Sequence, residues 1–367
     1  MALNDRTNHT VTDSTDSRAA DSDFNAVDAS QQASRSAHAF DDLIATFRAL
    51  APTARDCGNY FEGLIAQYLR HDSQMRSQFS KVFLWRNWPG RAELGDLGID
   101  LVAIPADDPN GAVAIQCKFY APGHRIQKSD IDSFLAASGR APFTRRIFVE
   151  TTGAPWGKNA EEMIRDQHIP VTRVGLSDLR NSDIDWTTYD LRRPDVAATT
   201  QERKRLRDHQ VRAINDVFAG FATHDRGTLV MACGTGKTFT SLKIAEHVAK
   251  ERGGDARVLF MVPSLALMSQ TLQEWSAECS LPFSAWSVCS DAKVNMRQAS
   301  ADLIDMVVAD LKIPATTDPK RLAESLRREH DRGGLQVVFA TYQSIDAVHA
   351  AQEYAAQTGG GAELSAA

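Results

Sequence analysis

Cysteine is scarce in this sequence, and its five cysteines form no CxxC pair. An odd number without paired spacing argues against a disulfide framework and a zinc module, and it favours a reducing compartment. No apolar run is long enough to cross a bilayer. Residues 1–36 are rich in Ser, Asp, Thr and Ala and lack the apolar core of a secretion signal. We therefore expect a cytoplasmic protein.

Net positive charge is also absent, because 41 Lys and Arg residues face 47 Asp and Glu residues, for a formal net charge of -6. This balance excludes a uniformly basic nucleic-acid coat but is compatible with a local basic groove. The 367 residues, 43% of them hydrophobic, indicate a globular protein of two or three domains. Residues 1–37 carry too little apolar surface to offset the entropy of ordering, so we predict a disordered lead-in there.

Alternating strand and helix patterns define two α/β units, residues 38–190 and 207–355, which are joined by an Arg-rich linker at 191–206. Residues 356–367 are expected to form a frayed tail. The predicted strands of the first unit are 81–85, 99–104, 112–119, 146–151 and 170–174. The predicted strands of the second unit are 228–231, 257–262 and 335–340. Their alternation with helices predicts a parallel sheet that is covered on both faces.

The stretch TLVMACGTGKTFTSLKIAEHVA combines a predicted strand, a Gly-rich turn and a helix. A phosphate-binding loop requires this order, because its backbone N–H groups must face the phosphates at the helix N-terminus. We predict that Lys237 binds the β- and γ-phosphates of ATP and that the Thr238 hydroxyl binds Mg²⁺. The predicted ATP-binding residues of this loop are Gly234, Thr235, Gly236, Lys237 and Thr238.

Three further segments resemble motifs of superfamily-two helicases and translocases. LRDHQ places Gln210 where these enzymes carry an adenine-reading glutamine. VLFMVPSLALMSQTLQEW resembles their motif Ia, which implies that Pro263 and Ser264 lie near the DNA backbone. VVFATYQSI resembles another motif that faces nucleic acid, which implies DNA contacts from Thr341 and Gln343.

Two features depart from a complete motor of this kind. Met231 stands where the common loop pattern begins with glycine, as in motors that keep only the later glycines. The sequence also contains no adjacent Asp-Glu pair, the pair that holds Mg²⁺ and activates water in these motors. By resemblance, that pair and a second RecA-like lobe would follow the Tyr342 segment. We therefore expect a motor truncated before its DEAH box, which binds ATP poorly or without turnover.

The segment GIDLVAIPADDPNGAVAIQCKFY places polar residues inside two apolar strand patterns. Its ADDPNG stretch is typical of a turn, so the strands are predicted to form a hairpin. A turn centred just after Asp108 puts Asp100 opposite Cys117. Because side chains alternate along a strand, Gln116 and Lys118 share one face, and Asp100 lies beside one of them.

These three polar groups suit metal-dependent cleavage of phosphodiesters. The Asp100 carboxylate and the Gln116 amide oxygen are suitable ligands for Mg²⁺. Lys118 can orient a metal-bound water or stabilise charge on the scissile phosphate. The alternative is a solvated strand face with a Lys–Asp ion pair.

GID followed by QCKFY resembles the Mrr-type branch of the PD-(D/E)xK restriction endonuclease fold, in which Gln replaces the first acid of the second motif. The resemblance covers residues 40–189 and implies a catalytic set of Asp100, Gln116 and Lys118. NYFEGLIAQYL matches the helix that often supplies a further carboxylate, which implies a role for Glu62. Asp96 is a competing carboxylate that we interpret as a turn residue.

An Mrr-type nuclease joined to such a motor resembles the amino-terminal part of single-polypeptide, Type I-like restriction–modification enzymes. The resemblance implies an α/β protein with a restriction-endonuclease-like α/β/α core, followed by a partial RecA-like P-loop domain with a parallel sheet. It implies DNA restriction by a Mg²⁺-dependent endonuclease, with ATP as a second cofactor. The resemblance implies double-stranded DNA as a partner. It also implies a methyltransferase portion and a specificity portion, on a downstream or separate chain. Two alternatives stay open: an ATP-binding helicase fragment that binds DNA without cleavage or turnover, and a non-enzymatic remnant that binds DNA or partner subunits.

Overall fold

The computed structural model describes residues 16–91, 95, 97–165, 167–194, 196–289, 308–328 and 333–358, with the backbone alone for residues 16–30. The strands of the first unit are β1 (Phe79–Leu84), β2 (Leu101–Pro105), β3 (Ala112–Lys118), β4 (Phe143–Glu150) and β5 (Val171–Val174). Its helices are α1 (Asp16–Leu50), α2 (Ala54–His71), α3 (Ser73–Arg76), α4 (Lys128–Ala137), α5 (Lys158–Ile164) and α6 (Leu176–Arg180). Each predicted strand of this unit is therefore present, with ends that differ by a few residues.

The five strands form one sheet in the order β1-β2-β3-β4-β5. The first three strands are antiparallel, and β4 and β5 continue the sheet parallel to β3. Alternate residues of β3 face opposite layers. Val113 and Ile115 pack into the core that contains α1 and α2, whereas Ala112 and Ala114 pack into the core that contains α4 and α5. Helices thus cover both faces, which confirms the predicted α/β/α core.

Helix α1 contradicts part of the predicted disordered lead-in. Residues 16–37 are helical, whereas residues 1–15 lie outside the described residues. The buried Ser36 hydroxyl donates to Ile184 O at 2.9 Å and accepts from Trp186 N at 3.0 Å. Local composition does not reveal this order, because the partners lie 148 and 150 residues further along the chain.

The linker is an extended segment that lies against the first unit. Its described residues contain no helix. Thr200 forms an isolated β-bridge with Ile184, and Gln201 N donates to Asp183 O at 2.7 Å. Ala198 is buried against the core of the first unit. These contacts place the linker against the first unit up to residue 201.

The second unit alternates helices and strands as predicted. Its strands are β6 (Ala256–Val262), β7 (Phe283–Val288) and β8 (Leu335–Thr341). Its helices are α7 (Asp208–Phe221), α8 (Lys237–Glu251), α9 (Leu265–Glu278), α10 (Pro319–Arg328) and α11 (Ile345–Gln357). The strands are parallel in the order β6-β8-β7, and every residue of β8 is buried. Helices α8 and α9 cover one face and α10 and α11 the other, as the sequence predicts.

The strand predicted at residues 228–231 is wrong. These residues form no strand, and the side chain of Val230 is 87% exposed. A strand needs a neighbour for its backbone N–H and C=O groups, and within the described part of the chain β6 pairs only with β8. The apolar pattern of this segment therefore reveals a preference for extended structure but not a pairing partner.

Two expectations from composition can be compared with the structure. None of the five cysteines is in a disulfide, which agrees with their spacing. Among the described residues, no helix combines the length and the apolar character that a membrane span requires.

A pair of carboxyl groups, buried Asp72 and half-buried Asp183, lies between α2 and the end of the first unit. Burial raises the pKa of Asp72 well above its ordinary value, and the neighbouring charge of Asp183 raises it further. The Asp72 carboxylate accepts hydrogen bonds from Gln74 N and Met75 N, each at 3.0 Å, which lower the pKa without cancelling the rise. The folded state therefore binds a proton at Asp72 more tightly than the unfolded chain does.

We predict that Asp72→Asn raises the melting temperature at about pH 8. Because the folded pKa is raised, the contribution of Asp72 to stability is greatest below the unfolded pKa of about 3.9 and is lost as the pH rises through the folded pKa. Asparagine keeps an acceptor for α3 and can donate to Asp183, so it removes the repulsion and not the hydrogen bonds. Thermal unfolding of the full chain measures the effect, at about 2–4 °C for each kcal/mol.

The gain from Asp72→Asn is expected to shrink as the pH falls toward the unfolded pKa of an aspartate. Asp132→Asn is the control, since Asp132 lies exposed on α4 and its removal changes the same formal charge. An Asp72→Asn protein that melts below the wild type at the higher pH would contradict the raised pKa.

Candidate functional site

The predicted hairpin is present and holds Asp100 against β3. Leu101 lies opposite Ile115, whereas the predicted register, with Asp100 opposite Cys117, would put Leu101 opposite Gln116. The predicted register is therefore wrong by one residue. Just before β2, Asp100 N donates to Ile115 O at 2.9 Å. Asp100 nevertheless reaches Cys117, because its Oδ2 accepts a hydrogen bond from Cys117 N at 2.6 Å.

The turn explains the shift in register. Asp108 Oδ1 accepts hydrogen bonds from Asn110 N at 3.3 Å and from Gly111 N at 3.1 Å. An aspartate that bonds the backbone two and three residues on organises the turn around itself. The hairpin is consequently centred on Asp108 and not between Asp108 and Pro109.

Gln116 is the most deeply buried of the predicted site residues in this unit, with 2% of its side chain exposed. Its Nε2 donates to Gly98 O at 2.9 Å. Its Oε1 has no hydrogen-bond partner among the described residues, although it is inaccessible to solvent. A buried acceptor without a donor costs about 1–3 kcal/mol, so this oxygen is suited to a bound cation or water.

The thiol of Cys117 shows that the remaining candidates converge on the same point of β3. Burial raises the pKa of Cys117 well above its ordinary value. The carboxylates of Asp100 and Glu62 raise this pKa further, and Lys118 lowers it. The charges of Asp100, of Glu62 on α2 and of Lys118 on β3 thus all act on this one thiol.

The donor set fits Mg²⁺. A metal site built from three or more His, Cys, Asp or Glu side chains is absent from the described residues. The donor set consists instead of two carboxylates and one amide oxygen. Such a set suits Mg²⁺ better than the softer metals, because this ion binds few protein ligands and keeps several waters. The partnerless oxygen of Gln116 is the structural observation that supports the fit. The competing carboxylate, Asp96, lies outside the described residues.

The Gly-rich loop has the predicted geometry in the second unit. Gly234 and Gly236 have φ values of 76° and 80°, which glycine adopts readily and other residues rarely do. Helix α8 begins directly afterwards, with Thr238 in its first turn. Lys237 Nζ folds back and donates to Ala232 O at 3.0 Å and to Met231 O at 3.2 Å. This ammonium group therefore lies over the loop, where phosphate oxygens could replace the two carbonyls.

Gln210 lies beneath this loop. It is buried at the start of α7, where its Oε1 accepts from Arg207 N at 3.0 Å. Its Nε2 donates to Thr235 O at 3.2 Å, and a Cβ at position 236 would lie 2.5 Å from that nitrogen. Its predicted contact with adenine stays a prediction, because these bonds engage the amide with the loop. His209 Nε2 also lies 3.1 Å from Thr235 O, a contact that the sequence did not suggest.

The two segments predicted to face DNA lie side by side. Val262, the last residue of β6, is the register partner of Thr341, the last residue of β8, so the segments after both strands share one edge of the sheet. Pro263 is exposed, and Ser264 caps α9 by accepting from Leu267 N at 3.3 Å. Gln343 is exposed as well. Thr341 is buried and its hydroxyl donates to Ser344 Oγ at 3.0 Å, so its predicted contact with DNA stays a prediction.

Comparison with family models assigns each unit. Residues 70–196 match the model Mrr_cat_2, described as "Restriction endonuclease". Residues 203–360 match the model ResIII, described as "Type III restriction enzyme, res subunit". The chain therefore contains a restriction endonuclease domain followed by a helicase-family domain, which confirms the resemblance found for both halves.

Comparison with solved structures gives the same assignment. The chain is similar to "ATP-dependent Type ISP restriction-modification enzyme LlaBIII bound to DNA", with a TM-score of 0.72 and 35% identity, over 86% of this chain and 19% of that chain. It is also similar to a nuclease-deletion mutant of the Type ISP enzyme LlaGI, with 37% identity and a TM-score of 0.35, over 41% of this chain and 14% of that chain. The chain thus spans about a fifth of the LlaBIII chain. No match is found among curated proteins.

Proposed function

We propose that this chain is a Mg²⁺-dependent DNA endonuclease joined to the nucleotide-binding part of a DNA motor. The observation that carries the proposal is the buried, partnerless oxygen of Gln116, which lies on the strand that also bears Lys118 and receives Asp100. Native proteins keep few such orphaned groups, and those that persist often mark a ligand site. The match of this domain to a restriction endonuclease model supports the same chemistry.

In the proposed mechanism, Asp100 and Gln116 would hold Mg²⁺ and Glu62 would add a carboxylate from α2. When bound, the ion would supply Lewis-acid chemistry to the scissile phosphate and to water. Lys118 donates a hydrogen bond to the scissile phosphate, where negative charge grows as the nucleophile approaches. The hydrogen bond from Cys117 N holds Asp100 against β3, so the carboxylate is oriented before DNA binds.

The second unit is proposed to bind ATP without hydrolysing it. Lys237 would exchange the carbonyls of Met231 and Ala232 for phosphate oxygens, and Thr238 would contact the Mg²⁺ of the nucleotide. The 367 residues contain no Asp-Glu pair to orient an attacking water. Nucleotide binding and turnover are therefore expected to be separable in this chain.

Double-stranded DNA is the proposed substrate, because the similar LlaBIII enzyme is described as bound to DNA. Its description as ATP-dependent supports ATP as the nucleotide. We further propose that methyltransferase and specificity portions act with this chain, from a downstream segment or a separate chain. Five free thiols and a DNA substrate favour the cytoplasm as the site of action.

The direct test incubates the purified full chain with supercoiled plasmid, with and without Mg²⁺ and with and without ATP. We expect nicking that requires Mg²⁺, is abolished by EDTA and proceeds without ATP, because the proposed ligands all belong to the first unit. Equal nicking in EDTA would contradict the metal dependence. Intact plasmid under every condition would contradict an autonomous nuclease.

A motor fragment that binds DNA without cleaving it is the second candidate. One observation favours it: the described residues contain no cluster of three or more His, Cys, Asp or Glu that could hold a metal. The same assay separates the candidates when a gel-shift measurement accompanies it. Retarded DNA that stays supercoiled under every condition would favour the fragment.

A further inference from the structure

The two domains contact each other at the edge strand β5 and the short helix α6 that follows it. Arg173 Nε donates to Asp310 Oδ1 at 2.7 Å, and Lys312 Nζ lies 2.8 Å from Asp178 Oδ2. Lys312 Nζ also donates to Arg173 O at 2.9 Å. Each domain thus supplies one cation and one carboxylate to two crossed ion pairs. Only 7% of the Lys312 side chain is exposed, so solvent and salt screen this pair weakly.

Residues 308–313, which we call the coupling segment, are part of the motor domain's own core. Leu311 and Ile313 are buried in the core shared by α8, α9 and β8. Just beyond the segment, Ala315 forms a parallel bridge with Ser287 of β7, and Thr316 N donates to Ser287 O at 2.9 Å. The segment therefore moves with the motor sheet while its charged side chains hold the nuclease domain.

Helix α9 makes a second connection to α6. Gln273 Nε2 donates to Asn181 O at 2.6 Å, and Asn181 is the residue that ends α6. Two residues further along α9, Trp275 Nε1 donates to Thr238 O at 3.0 Å, in the first turn after the Gly-rich loop. Trp275 is 1% exposed, so a packed side chain joins the nucleotide loop to the helix that contacts the nuclease domain.

Both connections end on α6, which has five residues. Lys312 binds the Asp178 carboxylate, whose Oδ2 also accepts from Gly175 N at 2.7 Å at the start of this helix. Gln273 binds the opposite end at Asn181. Strand β5, which leads into α6, pairs with β4, and β4 pairs with β3, the strand of Gln116 and Lys118.

We propose that α6 is the receiving element through which nucleotide occupancy of the Gly-rich loop reaches the nuclease domain. The proposal rests on nucleotide binding as given under the proposed function. Binding of phosphate would draw Lys237 from the carbonyls that it contacts without ligand. Thr238 follows directly and is bonded to Trp275, so α9 and its contact with Asn181 respond to the change.

Hydrogen exchange on the full chain tests this route, with Mg²⁺ and a non-hydrolysable ATP analogue as the probe. We expect nucleotide to slow exchange at the α6 amides of the wild type by about fivefold or more, the lower range of measured couplings between sites. In Gln273→Ala and in Lys312→Met, this nucleotide-dependent change is expected to be lost or strongly reduced, with nucleotide affinity unchanged. Only the difference with and without nucleotide is compared, because either variant can alter exchange by itself.

Gln270→Ala and Lys250→Met are the matched controls. Gln270 is exposed on α9 one turn before Gln273, and Lys250 is exposed near the end of α8. Both controls are expected to keep the wild-type response. Gln273 makes a surface contact, so its removal leaves the core intact even if Lys312→Met impairs folding.

The outcomes separate this proposal from the proposed function. Nucleotide that binds without changing α6 exchange in the wild type would overturn the coupling alone. So would an undiminished response in both variants. Nucleotide binding is measured separately by fluorescence titration. If the chain binds no nucleotide, both the proposed nucleotide binding and the coupling are overturned. Plasmid nicking tests the nuclease part of the proposed function independently.

Discussion

Lys118→Ala is expected to lower Mg²⁺-dependent plasmid nicking by about a hundredfold to a thousandfold, the usual loss when one group that stabilises transition-state charge is removed. Lys118 follows Gln116, a proposed Mg²⁺ ligand, on β3, and its charge acts on the Cys117 thiol together with those of Asp100 and Glu62. In the proposed mechanism, its ammonium stabilises the charge that grows on the phosphate during attack. The initial rate of loss of supercoiled plasmid measures the effect.

Binding and stability must be measured beside that rate. Lys118 is only partly buried, so we expect the variant to keep the wild-type melting temperature and to retard DNA as the wild type does. Lys81→Ala is the matched control, because Lys81 is an exposed lysine on β1 of the same sheet and is expected to leave the rate unchanged. Undiminished nicking by Lys118→Ala would remove Lys118 from the mechanism, and equal losses in both variants would indicate non-specific loss of DNA affinity.

Prediction succeeded where the signal is local to a few neighbouring residues. The GTGKT loop needs two glycines with positive φ and a helix immediately after them, and Gly234, Gly236 and α8 provide both. Gln116 and Lys118 share a strand face because side chains alternate, which needs no knowledge of the remaining chain. Strand β4 is recognisable from its apolar residues 147–149, around which residues 146–150 are all buried.

Prediction failed where a residue's environment comes from distant parts of the chain. Residues 16–37 look unfavourable for ordering by composition, yet Ser36 bonds to a segment 148 residues away. Residues 228–231 have a strand's composition but no partner strand within the described residues. In the site itself, the hairpin is centred on Asp108, whose carboxylate organises the turn, and the register of β2 against β3 is set accordingly. Tertiary partners, and not propensity, decide each of these cases.

Lys237→Ala is expected to weaken ATP binding by about tenfold to a hundredfold, the range for one hydrogen bond to a charged group. Lys237 is exposed, and its described contacts are hydrogen bonds to backbone carbonyls of its own loop. Its removal therefore leaves no buried charge without a partner. Titration with a fluorescent ATP analogue measures the affinity. Lys250→Ala, which removes an exposed lysine near the other end of α8, is expected to bind nucleotide as the wild type does.

Nicking by Lys237→Ala separates the two halves of the chain. The proposed metal ligands, Asp100, Gln116 and Glu62, all lie in the first unit, so cleavage without ATP is expected to proceed at the wild-type rate in this variant. Abolished nicking in the absence of nucleotide would contradict a self-sufficient nuclease domain. Unchanged nicking combined with weakened ATP binding would instead establish that cleavage chemistry resides in the first unit. The contacts at α6 would then transmit regulation between the domains without completing the catalytic site.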